Sequence, residues 1–338
     1  MGGGNGTLCL NILDYLRHEY PEIYERTTYK IIEISPSLAN IQQARLKQHS
    51  HVIEIINKSI FDWADVVDSR CFFLALEVIV RTRLSRDLSV TYLLNQDNFA
   101  HDIVRYDRNS SKAYQGITVT SPQGDYEEIY EPLTDPLIIR YMDYRDKAGH
   151  TSAAQARSYP RLQRLRNCLP FTPNLTKTEF VPTQLINFLE VLRDKFPRHR
   201  LLLSDFYSLP NSIGSAYTAP VVQTRYKGTM VPCSTYMVQP GYFDIFFPTD
   251  FELLRDLYYL VMKSRNGPSV ASAGVRLDPN FFFRGWGPSP LNTGSSHDRV
   301  QIYTHREFLT KYADLSCTEA RSGENPMLDY YANVKVMF

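Results

Sequence analysis

The sequence predicts an α/β protein built around a doubly wound, mostly parallel sheet, and three observations carry that expectation. Short apolar runs at 29–33, 51–57, 72–79 and 201–205 alternate with stretches whose apolar residues recur at helical spacing. The run Phe72 to Ile79 is almost continuously apolar, as a strand covered on both faces must be. Helix–strand alternation of this kind forces crossover connections, and therefore parallel strands.

The elements follow in order. Leu8, Ile12, Tyr15 and Leu16 share one helical face, so residues 7–19 read as a helix. Tyr29-Lys30-Ile31-Ile32-Glu33 reads as a strand ending in a carboxylate, and Ser35-Pro36 opens a helix that runs to Leu46. His51 to Asn57 is a further apolar run that breaks at Ser59-Ile60-Phe61-Asp62-Trp63. Between about 103 and 182 the rhythm changes: Tyr114–Thr120 and Tyr126–Tyr130 flank Pro122-Gln123-Gly124-Asp125, a hairpin signal. A Pro- and Arg-containing connector follows. The α/β pattern returns with a helix at 183–196 and a strand at Leu201–Asp205. Two capping boxes are expected, Thr249 with Glu252 and Thr304 with Glu307, the first helix ending at Gly267-Pro268. Asn325-Pro326 starts a short helix, and Asn333 to Phe338 reads as a closing strand. The organisation expected is a core at 1–102 and 183–338, interrupted by an α+β substrate-binding region at 103–182.

The totals restrict partners more than chemistry. The 338 residues carry 37 basic and 36 acidic side chains, so nothing favours nucleic acid or an anionic membrane surface as main partner. Arg157, Arg161, Arg164 and Arg166 read as a solvated helix face. Five scattered cysteines without C-x-x-C spacing argue against a zinc site or a disulfide framework. The most apolar run, Cys71 to Val80, contains Glu77 and is far shorter than the ~20 residues of a membrane span. No membrane insertion, signal peptide or transit peptide is expected from these residues.

The opening, Met1-Gly2-Gly3-Gly4-Asn5-Gly6-Thr7, is a glycine loop running straight into a helix. Such loops cradle a cofactor because free backbone N–H groups at a helix N-terminus face it. They normally follow a buried strand, so the sheet is expected to lack its first strand in these residues, unless the opening is a flexible glycine-rich tail. A dinucleotide fingerprint G-x-G-x-x-G does not fit. What fits is G-x-G-x-G at Gly2, Gly4 and Gly6, the tighter loop of class I S-adenosyl-L-methionine-dependent methyltransferases. Asn5 falls inside this loop. Glu33, at a strand end, suits two ribose hydroxyls, with an exposed strand-end carboxylate as the plain alternative. Asp62 and Trp63 stand where an adenine would be hydrogen-bonded and stacked, and Trp63 equally suits a core position.

Gly2–Thr7 followed by Tyr29-Lys30-Ile31-Ile32-Glu33-Ile34-Ser35-Pro36, with Leu38 and Gln43, resembles the MidA-type protein arginine methyltransferases. Phe180-Val181-Pro182-Thr183, Leu201–Asp205 and Pro240-Gly241 through Asp250-Phe251 fall in the order that family shows. The resemblance implies a class I methyltransferase (Rossmann-like) fold and S-adenosyl-L-methionine as cofactor, with Gly2, Gly4, Asn5, Gly6, Glu33, Ser35, Asp62 and Trp63 around it. It further implies symmetric dimethylation of an arginine in a respiratory complex I subunit, in the mitochondrial matrix. Two positions depart from the pattern: Leu76 stands where the family has asparagine in Asn-Glu-x-x-Asp, and Asp205-Phe206-Tyr207 replaces Asp-Tyr-Gly.

The aspartate of that motif is displaced. Removing residues 80–96 gives Glu77-Val78-Ile79-Asp97 and restores Glu-x-x-Asp; valine codons begin with GT and a glutamine codon can end in AG, so 80–96 reads as a retained intron, a genuine surface loop being the alternative. Glu77 and Asp97 are the expected acceptor-orienting groups, because carboxylates hold a guanidinium bidentately. Two competing functions stay open: an inactive methyltransferase fold that binds an assembly partner, and a nicotinamide-dependent oxidoreductase.

Overall fold

A computed structural model describes residues 1–78, 81–83, 101–108, 110–120, 125–152, 174–213, 218–239, 242–264 and 300–338. The helices are α1 (Thr7–Glu19), α2 (Pro21–Glu25), α3 (Pro36–Arg45), α4 (Pro136–Lys147), α5 (Gln184–Lys195), α6 (Phe251–Lys263), α7 (His305–Tyr312) and α8 (Pro326–Asp329). The strands are β1 (Tyr29–Ile32), β2 (Ile53–Ile56), β3 (Cys71–Leu76), β4 (Arg81–Arg83), β5 (Asp102–Tyr106), β6 (Ala113–Thr120) and β7 (Tyr126–Pro132). They continue with β8 (Glu179–Val181), β9 (His199–Phe206), β10 (Val221–Tyr226), β11 (Thr229–Cys233), β12 (Asp244–Phe246), β13 (Ile302–Thr304) and β14 (Val334–Met337).

The expected single parallel sheet is replaced by a mixed arrangement in two pieces. β1 and β2 pair in parallel, Ile31 opposite Ile55. β3 runs parallel to β9, Ala75 opposite Leu203, while β14 joins β9 antiparallel and β13 closes the far edge in the order β13-β14-β9-β3. Among the described residues β1 and β3 share no ladder, and residues 1–3 lie between them: the Met1 amino nitrogen donates to Leu74 O at 2.9 Å. A Cβ on Gly3 would meet Ile31 Cγ2 at 3.2 Å, on the opposite side of the gap.

Helices α5 and α6 show why the β3–β9 layer is buried. Leu185, Ile186, Phe188, Leu189 and Leu192 form one apolar stripe on α5, and Phe251, Leu254, Leu257, Tyr258 and Val261 another on α6. Both stripes join Phe73, Ala75 and Leu203 in the main core, each large side chain contributing roughly 1.5–3 kcal/mol by leaving water. A smaller core of Cys9, Leu13, Tyr24, Ile31, Leu46 and Val52 holds α1 and α2 to β1.

Two antiparallel sheets complete the molecule, in the orders β7-β6-β5-β8 and β11-β10-β12-β4. The hairpin expected at 114–130 is present, Thr120 opposite Tyr126, its turn residues 121–124 lying outside the described residues. Ile103, Phe180, Val222, Ile245 and Phe247 form the core in which these sheets meet. The connector read between hairpin and α5 contains α4, whose Asp135 side chain accepts from Leu137 N and Ile138 N ahead of Pro136. Of the two capping boxes, Thr304 with Glu307 forms as expected. The other is corrected: Asp250, one residue later than Thr249, caps α6 by accepting from Leu253 N. The expected stop at Gly267-Pro268 and the basic stretch 157–166 lie outside the described residues.

Candidate functional site

Gly2, Gly4 and Gly6, the three glycines of the G-x-G-x-G reading, all adopt positive φ, at 69°, 50° and 87°. The requirement is sharpest at Gly2, where a Cβ would lie 1.9 Å from Leu76 O, so the loop can approach the end of β3 only without a side chain. Gly6 is the N-cap of α1 in the left-handed region, and its N–H donates to Gly3 O at 2.8 Å. Asn5 Oδ1 accepts from Thr7 Oγ1 at 2.7 Å, which ties the loop to the first helical turn.

Glu33 follows β1 directly and is buried. Its Oε1 accepts from Ser35 N at 2.9 Å and its Oε2 from Gln42 Nε2 at 3.0 Å. Gln42 Nε2 also donates to Gly4 O at 2.7 Å, so this amide clamps the loop to the strand-end carboxylate. Ser35 Oγ accepts from Leu38 N and caps α3. Sequence reasoning named Glu33 and Ser35 and missed Gln42, which is fully buried in the second turn of α3; a polar residue on the inward face of that helix was the available signal.

At the other side of the loop, β3 ends at Leu76 and Glu77 takes φ 51°, unusual for a side-chain-bearing residue. Glu77 N donates to Ser204 O at 2.9 Å, so β9 holds this strained residue while its side chain stays exposed. Asp97 lies outside the described residues. Asp62 is exposed at the end of a short turn whose Phe61 N is capped by Ser59 Oγ. Trp63 is corrected towards its core alternative: it is 7% exposed, its ring lies 5.2 Å from that of Phe196, and Nε1 donates to Asp65 O at 2.8 Å. The ring is packed in the main core.

The structure therefore brings together the glycine loop, Glu33, Ser35 and the β3 end carrying Glu77. A cavity of about 280 Å³ lies beside this group, between α3 and β2, bounded by Pro36, Asn40, Gln43, Ile55 and Asn57 and not lined by the loop. Asn57, one of the residues bounding it, donates from Nδ2 to Glu33 O at 2.7 Å.

Residues 1–81 and 93–267 match the model of a family described as "Putative S-adenosyl-L-methionine-dependent methyltransferase". This chain belongs to that family. Its cofactor is S-adenosyl-L-methionine. The match omits residues 82–92, which fall inside the segment 80–96 read as inserted, and β4 at the start of that segment pairs with β12. The chain is also 23% identical over 279 residues to "Protein arginine methyltransferase NDUFAF7 homolog, mitochondrial" of Schizosaccharomyces pombe. That match takes in 78% of this chain and 55% of the relative, so the chain spans about half the relative's length. A crystal structure of an uncharacterized protein from Burkholderia thailandensis shares the fold, with TM-score 0.50 at 10% identity over 99% of this chain and 71% of that one. A second structure from that organism, bound to S-adenosyl-homocysteine, superposes at TM-score 0.47 and 10% identity over 99% and 69% of the two chains.

The residues present fit the family's cofactor. Gln42 Oε1 is buried with no hydrogen-bond partner among the described residues, at the corner where Gly4 and Glu33 meet. A donor brought to that corner would satisfy it, and the space beside Gly4 is open, since a Cβ built there would meet nothing within 4 Å.

Proposed function

We propose that this chain is a protein arginine N-methyltransferase producing symmetric dimethylarginine, with an arginine of a respiratory complex I subunit as acceptor and the mitochondrial matrix as its compartment. The 279-residue match to the fission-yeast protein arginine methyltransferase is the observation that carries this reading. Bound S-adenosyl-L-methionine supplies a methyl group on a sulfonium, and the protein's task is to position the acceptor nitrogen in line with it. Gly2, Gly4, Asn5 and Gly6 would present backbone groups to the cofactor. Glu33 and Ser35 would take its sugar side, with Asp62 beyond. Glu77, with Asp97, would accept N–H groups of the acceptor guanidinium, balance its charge and receive the proton released as the new N–C bond forms.

We further propose that a strand ahead of Gly2 fills the slot between β1 and β3. Among the described residues the only ladder partner of β1 is β2 and that of β3 is β9, Met1 N reaches Leu74 O from between them, and backbone edges of a sheet interior need partners. On this reading these 338 residues alone bind the cofactor poorly, and 80–96 is absent from the working protein. The test is methylation of a complex I subunit mixture by this chain and by a form extended upstream, read by mass spectrometry. Symmetric dimethylarginine made by the extended form supports the proposal. Methyl groups on another atom, or cofactor binding without any transfer, would replace it with another acceptor or a purely binding role.

A further inference from the structure

A second cavity, of about 120 Å³, lies where α4, β8, the start of α5 and the start of α6 converge. Two buried polar atoms with no hydrogen-bond partner among the described residues belong to side chains that line it: Arg145 Nε and Thr249 Oγ1. Arg145 is 3% exposed and Thr249 6%. Both Nη atoms of Arg145 have a partner, Nη1 donating to Glu179 Oε1 at 3.3 Å and Nη2 to the Tyr106 hydroxyl at 3.2 Å. Glu179 also accepts from Ser152 Oγ at 2.5 Å. The guanidinium is thus anchored at both Nη atoms, while Nε–H, buried, is left without a partner among the described residues.

Charge decides what that N–H can receive. Arg145 is already balanced by Glu179, and Asp146 Oδ1 stands 3.9 Å from Nε. Asp250 lines the cavity too, and His150, also lining, pairs with Asp256 at 2.8 Å. Asp256 is also paired with Arg255 at 2.9 Å, which leaves Glu179 and Asp250 alongside the Arg145 guanidinium in the lining, so a further phosphate or carboxylate is disfavoured and a neutral carbonyl oxygen suits the free donor. The apolar lining, Phe180, Val181, Leu185, Leu253 and Leu254, suits an aliphatic side chain. Whole small-molecule ligands occupy pockets of about 300–1,000 Å³, whereas this space suits one residue.

Position connects the cavity to the candidate acceptor site. Thr249 N donates to Phe206 O and Glu77 N to Ser204 O, so both hang from the same end of β9, two residues and about 7 Å apart along it. An extended chain advances about 3.3–3.6 Å per residue, which makes that step about two residues. The geometry points to a subsite for one residue of the polypeptide substrate, a few positions from the acceptor. An aliphatic side chain fills the cavity and a backbone carbonyl accepts from Arg145 Nε and the Thr249 hydroxyl. This rests on the proposal that the acceptor is a protein, and not on which atom is methylated.

The test is titration of the protein with N-acetyl-L-leucinamide, N-acetylglycinamide and sodium acetate, following the Arg145 Nε–H resonance. The leucine amide is expected to shift it with a dissociation constant of a few millimolar, given the modest energy per atom of small ligands. The glycine amide should bind at least about 5-fold more weakly and acetate should leave the resonance in place, as an aliphatic seat with surplus negative charge requires. Thr249→Val, which removes only an unpartnered hydroxyl, should weaken the leucine amide about 3–10-fold. Circular dichroism is the check that the variant is folded. No shift with the leucine amide, equal binding of acetate, or an unchanged constant in folded Thr249→Val overturns the proposal. Arginine methylation is scored separately: leucine amide binding without methylarginine keeps the subsite and removes the arginine reading, and the reverse pair of results removes the subsite.

Discussion

Gln42→Met tests the loop clamp most directly. Methionine has nearly the length and volume of glutamine and no hydrogen-bonding amide, so packing on α3 is kept while two bonds disappear, to Glu33 Oε2 at 3.0 Å and to Gly4 O at 2.7 Å. Gly4 is exposed, so its carbonyl can turn to water at little cost. Glu33 is only 8% exposed, and a buried carboxylate losing a charge-assisted donor costs about 1.5–3 kcal/mol. Removing the unpartnered Oε1 returns part of this. The net expectation is a loss of about 1–3 kcal/mol in urea unfolding, with the unfolding slope unchanged. Cofactor affinity, read by calorimetry on a form that binds, should fall by about tenfold or more, because the same amide orients the loop. A variant as stable as the parent with unaltered affinity would refute the assignment of Gln42 as the clamp.

Burial, helped by the nearby Asp135 charge, holds the Asp102 carboxyl up at about 6 against an ordinary 3.8, although Thr183 Oγ1 donates to it. A raised carboxyl pKa means the folded state binds the extra proton, so its cost is absent near pH 4 and fully present above about pH 6. Asp102→Asn should therefore stabilise the protein at pH 7.5 by about 1–3 kcal/mol and by little at pH 4.5; a pH-independent difference contradicts this. Glu77→Gly should leave stability within about 1 kcal/mol, relief of the φ 51° backbone offsetting glycine's entropy, yet lower methyl transfer by about 100-fold or more. Retained transfer in Glu77→Gly would release that carboxylate from its proposed role. Thr304→Ala removes one half of the α7 capping box and should cost about 0.5–2 kcal/mol by thermal or urea unfolding. A cost near zero would mean that α7 is held by its aromatic contacts alone.

Features set by neighbouring residues were legible in the chain. The spacing of Leu8, Ile12, Tyr15 and Leu16 gave α1 its bounds at 7–19, although the side chains α1 buries are Cys9 and Leu13 while Leu8 and Tyr15 stay exposed; Thr304 with Glu307 located the start of α7. The glycine loop was legible for the same reason, since Gly2, Gly4 and Gly6 are the positions at which the backbone takes positive φ. Even a strong local signal slips when two candidates adjoin: both Thr249 and Asp250 can cap, and only the packing of α6 decided for Asp250.

What the sequence by itself determined is the α/β rhythm, the glycine loop with the Glu33 strand end, and the individual helices and the hairpin. Each follows from side chains within a turn or a pleat of one another, where spacing translates directly into shared faces. Only the tertiary structure decided that the β1–β2 pair stands apart from β3-β9-β14-β13, that Trp63 belongs to the core, and that Gln42 bridges Gly4 and Glu33. It alone brought Arg145 and Thr249, 104 positions apart in the numbering, to one cavity. Such partners are chosen by burial and long-range hydrogen bonding, whose energies depend on the whole packed chain and leave no period in the sequence to read.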